Sequence, residues 1–268
     1  MSGSPPPEAP AGALDVLAPP VSTPKRLKFD FHLHTLDDPV DHHVYHTVFE
    51  LLDKAAGLGY DALSITLHTR QFYSREAERY ASERGILLVP GVEQDIENSH
   101  VLLLNFPREA SEGIRTFADL ARVKAELARS GAPESLVIAP HPFFPSGVAL
   151  QEKFWDHKEL FDAVEVSGFF HRYWNPNAKA VAAARTLGLP LVGNSDTHTL
   201  EQFGKTWSEV ECAKDAVSIL RAIKAGRARV AGRSLGAAEM GVIGWKVIAQ
   251  GYMKWINYKR QRGWQPAA

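Results

Sequence analysis

The chain has 268 residues, of which 45% are hydrophobic, 23% charged and 10% aromatic, a composition typical of a globular protein with one large domain or two small ones. Its 30 Lys and Arg residues nearly balance its 31 Asp and Glu residues, so the net charge does not indicate a nucleic-acid partner. The single cysteine, Cys212, excludes an intrachain disulfide framework and a cysteine-rich zinc site.

The two ends of the chain differ from the rest in composition. Residues 1–24 are rich in Pro, Ala, Gly and Ser and predict a disordered tail. Residues 244–268 interleave basic and aromatic residues without any acid. They predict a helix that packs its Trp face on the protein, or that makes a weak contact with a membrane or nucleic acid. There is no apolar run near the ~20 residues of a membrane span and no signal-peptide layout, so we expect a cytoplasmic protein.

Between these ends, short apolar runs alternate with amphipathic stretches. The predicted strands are residues 27–34, 61–67, 86–93, 100–106, 136–141, 163–167, 189–194 and 207–212. The predicted helices are residues 48–58, 74–84, 117–129, 177–187 and 215–225. This alternation is typical of βαβ units with a parallel sheet, and seven or eight repeats predict an α/β barrel over residues 25–243.

The first predicted strand places three polar side chains on one face. Residues two apart in a strand point the same way, so Asp30, His32 and His34 share a face while Phe31 and Leu33 point to the other. Two imidazoles at this spacing can bind one metal ion, and Asp30 is placed to orient one of the rings. A His-x-His pair on its own is also compatible with an exposed or hydrogen-bonded pair.

Histidines and carboxylates recur at the ends of later predicted strands. They are His68, Glu93, His141, Asp196 and His198, with His100 seven residues after Glu93. In a (β/α) barrel the carboxyl ends of all strands open on the same face. Together with His32 and His34, the set therefore predicts a site for two or three divalent metal ions. Imidazole and carboxylate ligands without thiolate fit zinc, manganese or iron.

The motifs that carry these residues resemble those of the PHP (polymerase and histidinol phosphatase) family. In chain order they are Asp-x-His-x-His, Gly-Tyr-Asp-Ala-Leu-Ser-Ile-Thr-Leu-His, Pro-Gly-Val-Glu, His-Pro-Phe and Ser-Asp-Thr-His. The resemblance covers residues 27–233. It implies a distorted (β/α)7 barrel of the PHP type, a trinuclear metal centre at its mouth and, usually, hydrolysis of phosphoesters.

The resemblance also implies which residues bind each ion. For the first ion they are His32, His34, Glu93 and Asp196, for the second Glu93, His100 and His141, and for the third His68, His198 and one ligand from the loop after His34. Many family members have Asp where this chain has Pro39, and some use a His that lies 25 residues before the His of the second motif. We therefore predict His43, with Asp38, Asp41 and His42 as alternatives.

One position departs from the family pattern in a way that affects the third ion. Leu67 stands where the family usually has an Asp next to the second-motif His. Leucine accepts no hydrogen bond, so we expect a changed affinity or pH dependence at the third site.

These residues predict a metal-dependent phosphoesterase that acts on a small phosphomonoester or phosphodiester. A metal-bridging hydroxide would attack phosphorus, with Glu93, Asp196 and His198 as catalytic residues and His198 assisting proton transfer to the leaving oxygen. Arg70 and Arg172 are candidates for contacting the substrate phosphate, although a surface salt bridge or a solvated side chain explains either equally well. A 3′-end nuclease and a non-catalytic module stabilised by its metals are the alternative functions.

Overall fold

Ten strands and eight α-helices form the part of the chain that the computed structural model describes, residues 26–41 and 43–246. The strands are β1 (Leu27–Leu33), β2 (Ala62–Ile65), β3 (Leu87–Leu88), β4 (Gly91–Ile96), β5 (Ser99–Leu104), β6 (Leu136–Ala139), β7 (Ala163–Ser167), β8 (Leu191–Asn194), β9 (Thr206–Val210) and β10 (Arg229–Gly232). The helices are α1 (Val48–Gly57), α2 (Arg75–Glu83), α3 (Arg108–Gly113), α4 (Phe117–Ser130), α5 (Lys153–Asp156), α6 (Asn177–Leu187), α7 (Ala216–Lys224) and α8 (Ala237–Gly244), with a 3-10 turn at Lys158–Leu160. The predicted tail and most of the predicted C-terminal basic helix lie outside the described residues.

The strands form two five-stranded sheets, in the orders β10-β9-β1-β2-β3 and β4-β5-β6-β7-β8. Strands β1 to β3 pair in parallel, as do β6 to β8, whereas β9 and β5 pair antiparallel with both of their neighbours. The predicted α/β class is therefore confirmed. The closed seven-stranded barrel is not, because the described parts of the two sheets meet through isolated bridges, Leu33 with Thr197 and His68 with Glu93.

Two local features explain why the sheets differ from a regular parallel barrel. The predicted strand over residues 86–93 is divided at Pro90, which has no backbone N–H to donate to a strand ladder. Strands β4 and β5 are joined by Glu97 and Asn98, both with positive φ (51° and 58°), as in a two-residue hairpin turn. A parallel connection needs a crossover of a dozen or more residues, so this pair is antiparallel.

The five predicted helices form because their ends carry strong local signals. Thr47 and Thr116 cap α1 and α4 in capping boxes, and Ser74 caps α2 through its side chain. Helices α4 and α6 end at glycines in the left-handed conformation, Gly131 and Gly188. Within the described residues, no helix is long and apolar enough to cross a bilayer.

Strand β1 is buried on both faces, and this determines where the polar residues lie. Phe29 and Phe31 are fully buried, with ring centroids 4.6 Å apart, as the alternation predicted. The opposite face is also buried, including Asp30 and His32. Burying ionisable groups is costly unless they are paired or coordinate a cation. The interior of the fold therefore contains polar groups that need partners.

Candidate metal centre

Ten histidine and carboxylate side chains from β1, β4, β5 and the loops after β1, β2, β6 and β8 lie in one cluster. In the part of the chain that the structure describes, they form five overlapping groups of three whose ligand atoms lie within 4.8 Å of one another. The members are His32, His34, Asp38, Asp41, His68, Glu93, His100, His141, Asp196 and His198. Eight of the nine predicted ligands are thus brought together, and the exception is His43.

Glu93 lies at the middle of the cluster, and its two oxygens face different histidines. Its Oε2 atom lies 3.2 Å from Nε2 of His32 and 3.3 Å from Nε2 of His34. Asp196 approaches the same two nitrogens with Oδ1, at 3.4 and 3.6 Å. These four side chains surround one position for a cation.

The other oxygen of Glu93 faces a second position. Its Oε1 atom lies 2.8 Å from Nδ1 of His100 and 3.4 Å from Nε2 of His141. It has no hydrogen-bond partner despite being buried, so the approach to His100 lacks hydrogen-bond geometry. A carboxylate with one oxygen at each of two positions can bridge two ions.

Unpartnered buried atoms test whether these residues fit metal ions. Nε2 of His32, Nε2 of His34 and Oε1 of Glu93 are buried without a hydrogen bond. Each such atom costs about 1–3 kcal/mol when nothing satisfies it. Because all three point into one cluster of neutral nitrogen and carboxylate donors, divalent cations fit the centre.

His32 and His198 present their Nε2 atoms to the centre because their Nδ1 atoms are held from behind. Nδ1 of His32 donates to Oε2 of Glu165 at 2.8 Å, and Nδ1 of His198 donates to the carbonyl of Asp196 at 3.0 Å. A ring that donates from Nδ1 leaves the Nε2 lone pair free for a cation. The backbone and carboxylates thus fix the tautomers that metal binding requires.

Glu165 is a functional residue that the sequence analysis missed. It is fully buried on β7, accepts from Nδ2 of Asn194 at 3.0 Å, and accepts from the backbone N–H of His141 at 3.2 Å. Glu165 is therefore hydrogen-bonded to His32, which faces Oε2 of Glu93, and to the backbone of His141, which faces Oε1. A charged residue in the middle of the apolar run Ala-Val-Glu-Val-Ser was the signal available in the sequence.

Asp30 does not orient an imidazole, contrary to the prediction. Its carboxylate accepts from the backbone N–H groups of His32, at 3.2 Å, and Ser195, at 3.1 Å. The ring of His32 turns to Glu165 instead, since that carboxylate lies on the side of Nδ1. Burial raises the pKa of Asp30 to about 7, and its bonds hold the segment after β8 against β1.

The loop after β1 supplies an acceptor shared by two histidines. Oδ2 of Asp38 accepts from Nδ1 of His34 at 2.9 Å, and from both Nδ1 and the backbone N–H of His68 at 3.0 Å. Leu67 is fully buried in the core and contributes no acceptor. Asp38 therefore occupies the supporting position behind His68 that Leu67 cannot fill, and the predicted change at a third site stays a prediction.

The loop ligand suggested by the geometry is Asp41 rather than His43. Oδ2 of Asp41 lies 2.7 Å from Nε2 of His198 and 3.7 Å from Nδ1 of His68. The ring of His43 stacks on the ring of His198, with centroids 5.2 Å apart and planes 3° apart, so its nitrogens do not join a ligand group. Burial lowers the pKa of His43 to about 4. The alternative His42 lies outside the described residues.

The neighbouring carboxylates raise the pKa values of two buried imidazoles of the centre. Burial acts to lower the pKa of His32, but the charges of Glu93 and Asp196 outweigh it and raise the pKa well above its ordinary value. His34 shows the same direction, because the nearby carboxylates of Asp196 and Asp38 oppose its burial and raise its pKa. Burial would raise the pKa of Glu93, yet the surrounding imidazoles hold it well below its usual range. Because an imidazole must be deprotonated to bind a metal ion, a cation would compete with protons for these ring nitrogens.

A cavity of about 390 Å³ opens onto the centre. Neither predicted arginine lines it. Arg70 is exposed and donates to the carbonyl of Asp37, because its loop directs it into a separate groove. Arg172 is exposed and lies 4.5 Å from the ring centroid of Tyr173. Both predictions of a phosphate contact are therefore unsupported by the arrangement, and the surface interpretation describes both residues.

Comparisons with known proteins agree with the motifs. Residues 174–228 match the family model of the PHP-associated segment, PHP_C. A two-domain protein from Bacteroides vulgatus ATCC 8482, described as containing a predicted PHP-like metal-dependent phosphoesterase, is similar in structure, with a TM-score of 0.60 and 17% identity over 84% of this chain and 70% of that one. PsfC from Pseudomonas syringae PB-5123 has a TM-score of 0.55 and 22% identity over 85% of this chain and 99% of that one. No curated protein sequence matches.

At these identities the two solved structures show a common fold, and the family model adds a sequence match over α6, β8, β9 and α7. The matched segment includes Asp196 and His198. The segment match covers about a fifth of the chain and the solved structures share its fold, and both agree with the resemblance of its motifs to the PHP family.

Proposed function

We propose that this protein is a metal-dependent hydrolase of phosphoesters, acting on a small phosphomonoester or phosphodiester. The observation that carries the proposal is Glu93, whose Oε2 atom faces His32, His34 and His68 and whose Oε1 atom faces His100 and His141. Nε2 of His32, Nε2 of His34 and Oε1 of Glu93 are buried there without a hydrogen-bond partner. Sites of two divalent ions bridged in this way are suited to phosphoryl chemistry. The description of the Bacteroides vulgatus protein as a PHP-like metal-dependent phosphoesterase supports the same class.

We assign the residues to two main positions and a third. From the distances between these side chains, we assign His32, His34, Glu93 and Asp196 to the first position and Glu93, His100 and His141 to the second. We assign Asp41 and His198 to the third, together with His68, whose Nδ1 atom lies 3.7 Å from Oδ2 of Asp41. Divalent ions bound there would lower the pKa of coordinated water and neutralise charge on the phosphoryl group. Zinc, manganese and iron all suit this donor set.

His198 has the role that depends on the number of ions. Its Nδ1 atom donates to the carbonyl of Asp196, and its Nε2 atom faces Oδ2 of Asp41 at 2.7 Å on the cavity wall. At a centre with two ions, the carboxylate of Asp41 would stabilise a proton on Nε2, which His198 could donate to a leaving oxygen. At a centre with three ions, the same atom would be a metal ligand. The number of ions per chain therefore decides the role.

We also infer that the two sheets are the halves of a distorted (β/α)7 barrel. The bridge from Leu33 to Thr197 and the bridge from His68 to Glu93 lie at the two seams between the sheets. Both seams run beside proposed ligands. A barrel of this kind would place the active site at the carboxyl ends of its strands.

The experiment combines elemental analysis with an assay of phosphate release. Purified protein loaded with zinc or manganese should hydrolyse 4-nitrophenyl phosphate or bis(4-nitrophenyl) phosphate, and chelation should abolish the activity reversibly. Asp196→Asn and His68→Gln should lose bound metal and activity together. Asp156→Asn, an exposed carboxamide substitution outside the cluster, is the matched control and should change neither.

The outcomes separate the proposal from the two alternatives. Tightly bound metal with no turnover on any phosphoester would favour a non-catalytic module and refute the proposed hydrolase function. Cleavage confined to 3′ ends of nucleic acid would favour the nuclease. The lining of the described cavity contains no Lys or Arg, so this second outcome is not expected.

A further inference from the structure

The outer half of the cavity is apolar, in contrast with its floor. Above the ligand cluster, the wall is formed by Val40, Phe144, Val148, Phe169 and Ile243. Two of these, Phe144 and Phe169, are half-buried, and Val148 is more than one-third exposed. A concave apolar wall that continues directly from a polar floor is typical of a small-molecule site in which a few groups bind the reacting head and the wall binds the rest.

The aromatic part of this wall is held in place beside a proposed ligand. The ring centroid of Phe144 lies 6.4 Å from that of His141 and 5.9 Å from that of Phe169. Trp174 packs edge-to-face on both phenylalanines, at 5.6 and 6.1 Å. These pairings fix the ring orientations, so the wall is preorganised next to the second metal position.

The charged groups that line the described cavity are acids and histidines. Asp41, Glu93 and Asp196 are its carboxylates. Lys246 and Lys205, basic residues of the same region, are already paired with Glu201 and Glu239. Two divalent ions would leave only a small positive excess over the three carboxylates. A substrate with a second anionic group would therefore find no described cation to bind it.

The volume of the cavity bears on the size of the substituent that it can hold. A volume of about 390 Å³ lies near the lower end of the range for small-molecule sites, and bound ions and the phosphoryl group would take part of it. A dry apolar cavity of about 150 Å³ holds benzene, so the remaining space accommodates an aromatic ring.

We propose that this cavity selects a phosphoester whose substituent is a single apolar ring without a second negative charge. This inference rests on the proposed function, since it assigns the substrate class of the same site. The apolar wall contacts the ring, and the described lining offers no Lys or Arg side chain to bind a further anion. Sugar phosphates that carry a carboxylate, nucleoside polyphosphates and nucleic acids are thereby disfavoured.

Binding of non-hydrolysable phosphonates tests the selection without requiring turnover. The probes are ethylphosphonate, benzylphosphonate and 4-carboxybenzylphosphonate, titrated into the zinc-loaded protein in a calorimeter. We expect benzylphosphonate to bind roughly tenfold more tightly than ethylphosphonate, since a buried ring removes apolar area from water. The added carboxylate should cancel this gain. Equal binding of the ethyl and benzyl compounds, or tightest binding of the carboxybenzyl compound, would overturn the inference.

Variants of the wall locate the effect. Phe169→Ala should remove most of the preference for benzyl over ethyl while the affinity for ethylphosphonate and the metal content stay unchanged, and Phe169→Leu should keep part of it. Tyr173→Ala is the matched control, because this aromatic residue is 78% exposed in the same loop and does not line the cavity. A preference that survives Phe169→Ala, or disappears in Tyr173→Ala, contradicts the assignment.

Turnover of the corresponding esters distinguishes the two proposals. Ethyl phosphate and benzyl phosphate have similar alcohol leaving groups, so their ratio of kcat/KM reports recognition of the substituent. If neither ester nor any diester is cleaved, the proposed function fails while the phosphonate ranking still tests the cavity. If both are cleaved equally well, the proposed function stands and the inference fails.

Discussion

Glu165→Gln should weaken metal binding although the residue is not itself a proposed ligand. The substitution keeps the shape of the side chain but replaces one acceptor oxygen by an NH2 donor. In the native protein both oxygens accept, from His32 Nδ1 and Asn194 on one side and from the backbone N–H of His141 on the other. Whichever way the amide of a glutamine is turned, its NH2 group therefore faces an N–H donor, either that of His32 and Asn194 or that of His141.

The magnitude follows from the number and kind of bonds lost. Removal of a group that orients a ligand typically costs 10- to 100-fold in metal affinity, about 1.4–2.8 kcal/mol. Hydrogen bonds to a charged group contribute about 1.5–3 kcal/mol, which agrees with that range. Because Glu165 is fully buried, solvent cannot replace what is lost. We therefore expect the Kd for zinc to rise between 10- and 100-fold.

Competition with a chromogenic chelator measures this Kd, and the thermal transition of the metal-free variant shows whether the fold survives. Glu159→Gln, on the exposed turn before β7, is the control with the same chemical change and should leave the Kd unchanged. A Kd for Glu165→Gln within about twofold of the native value, in a folded protein, would refute the argument that Glu165 holds the ligands in position.

Three further changes test other parts of the structure. Asp41→Asn should lower the number of ions bound per chain, whereas His43→Asn should not, and elemental analysis giving the reverse pattern would restore His43 as the loop ligand. Zinc binding at pH 7 should release protons and strengthen as the pH rises, because the pKa values of His32 and His34 are raised in the metal-free protein and both rings must lose their protons. Calorimetric heats that do not depend on the ionisation enthalpy of the buffer would contradict this. Gly193→Ala should destabilise the protein by about 1–3 kcal/mol in chemical denaturation, since a Cβ there would lie 2.8 Å from a backbone oxygen of β9, and an unchanged midpoint would show that the strands can separate.

The part of the centre that the sequence predicted is the part encoded by local pattern. His32 and His34 alternate along a strand, and residues such as His141 and Asp196 follow apolar runs directly. Strand alternation and strand ends are local properties of the sequence, so these ligands could be predicted without knowledge of the fold. Glu165 could not be assigned in this way, because its role depends on which side chains the neighbouring strands bring against it.

The errors concern side-chain direction in loops and the pairing of strands. Arg70 follows a predicted ligand by two residues, but the path of its loop turns it away from the cavity. The choice between His43 and Asp41 depended on a family spacing, whereas the backbone places the ring of His43 against His198. Alternation of apolar runs also gives no strand direction, and the turn at residues 97–98 makes that pair antiparallel.

The small number of backbone bridges between the two sheets has a mechanical consequence. In the described part of the chain the sheets share a packed core, but backbone pairing between them is limited to isolated bridges at their seams, and side chains from both reach the same metal positions. His32 extends from one sheet and Glu93 from the other, so an ion held by both cross-links the two halves. Chelation should then lower the melting temperature and speed amide hydrogen exchange first along the seams, while exchange within each sheet stays slow.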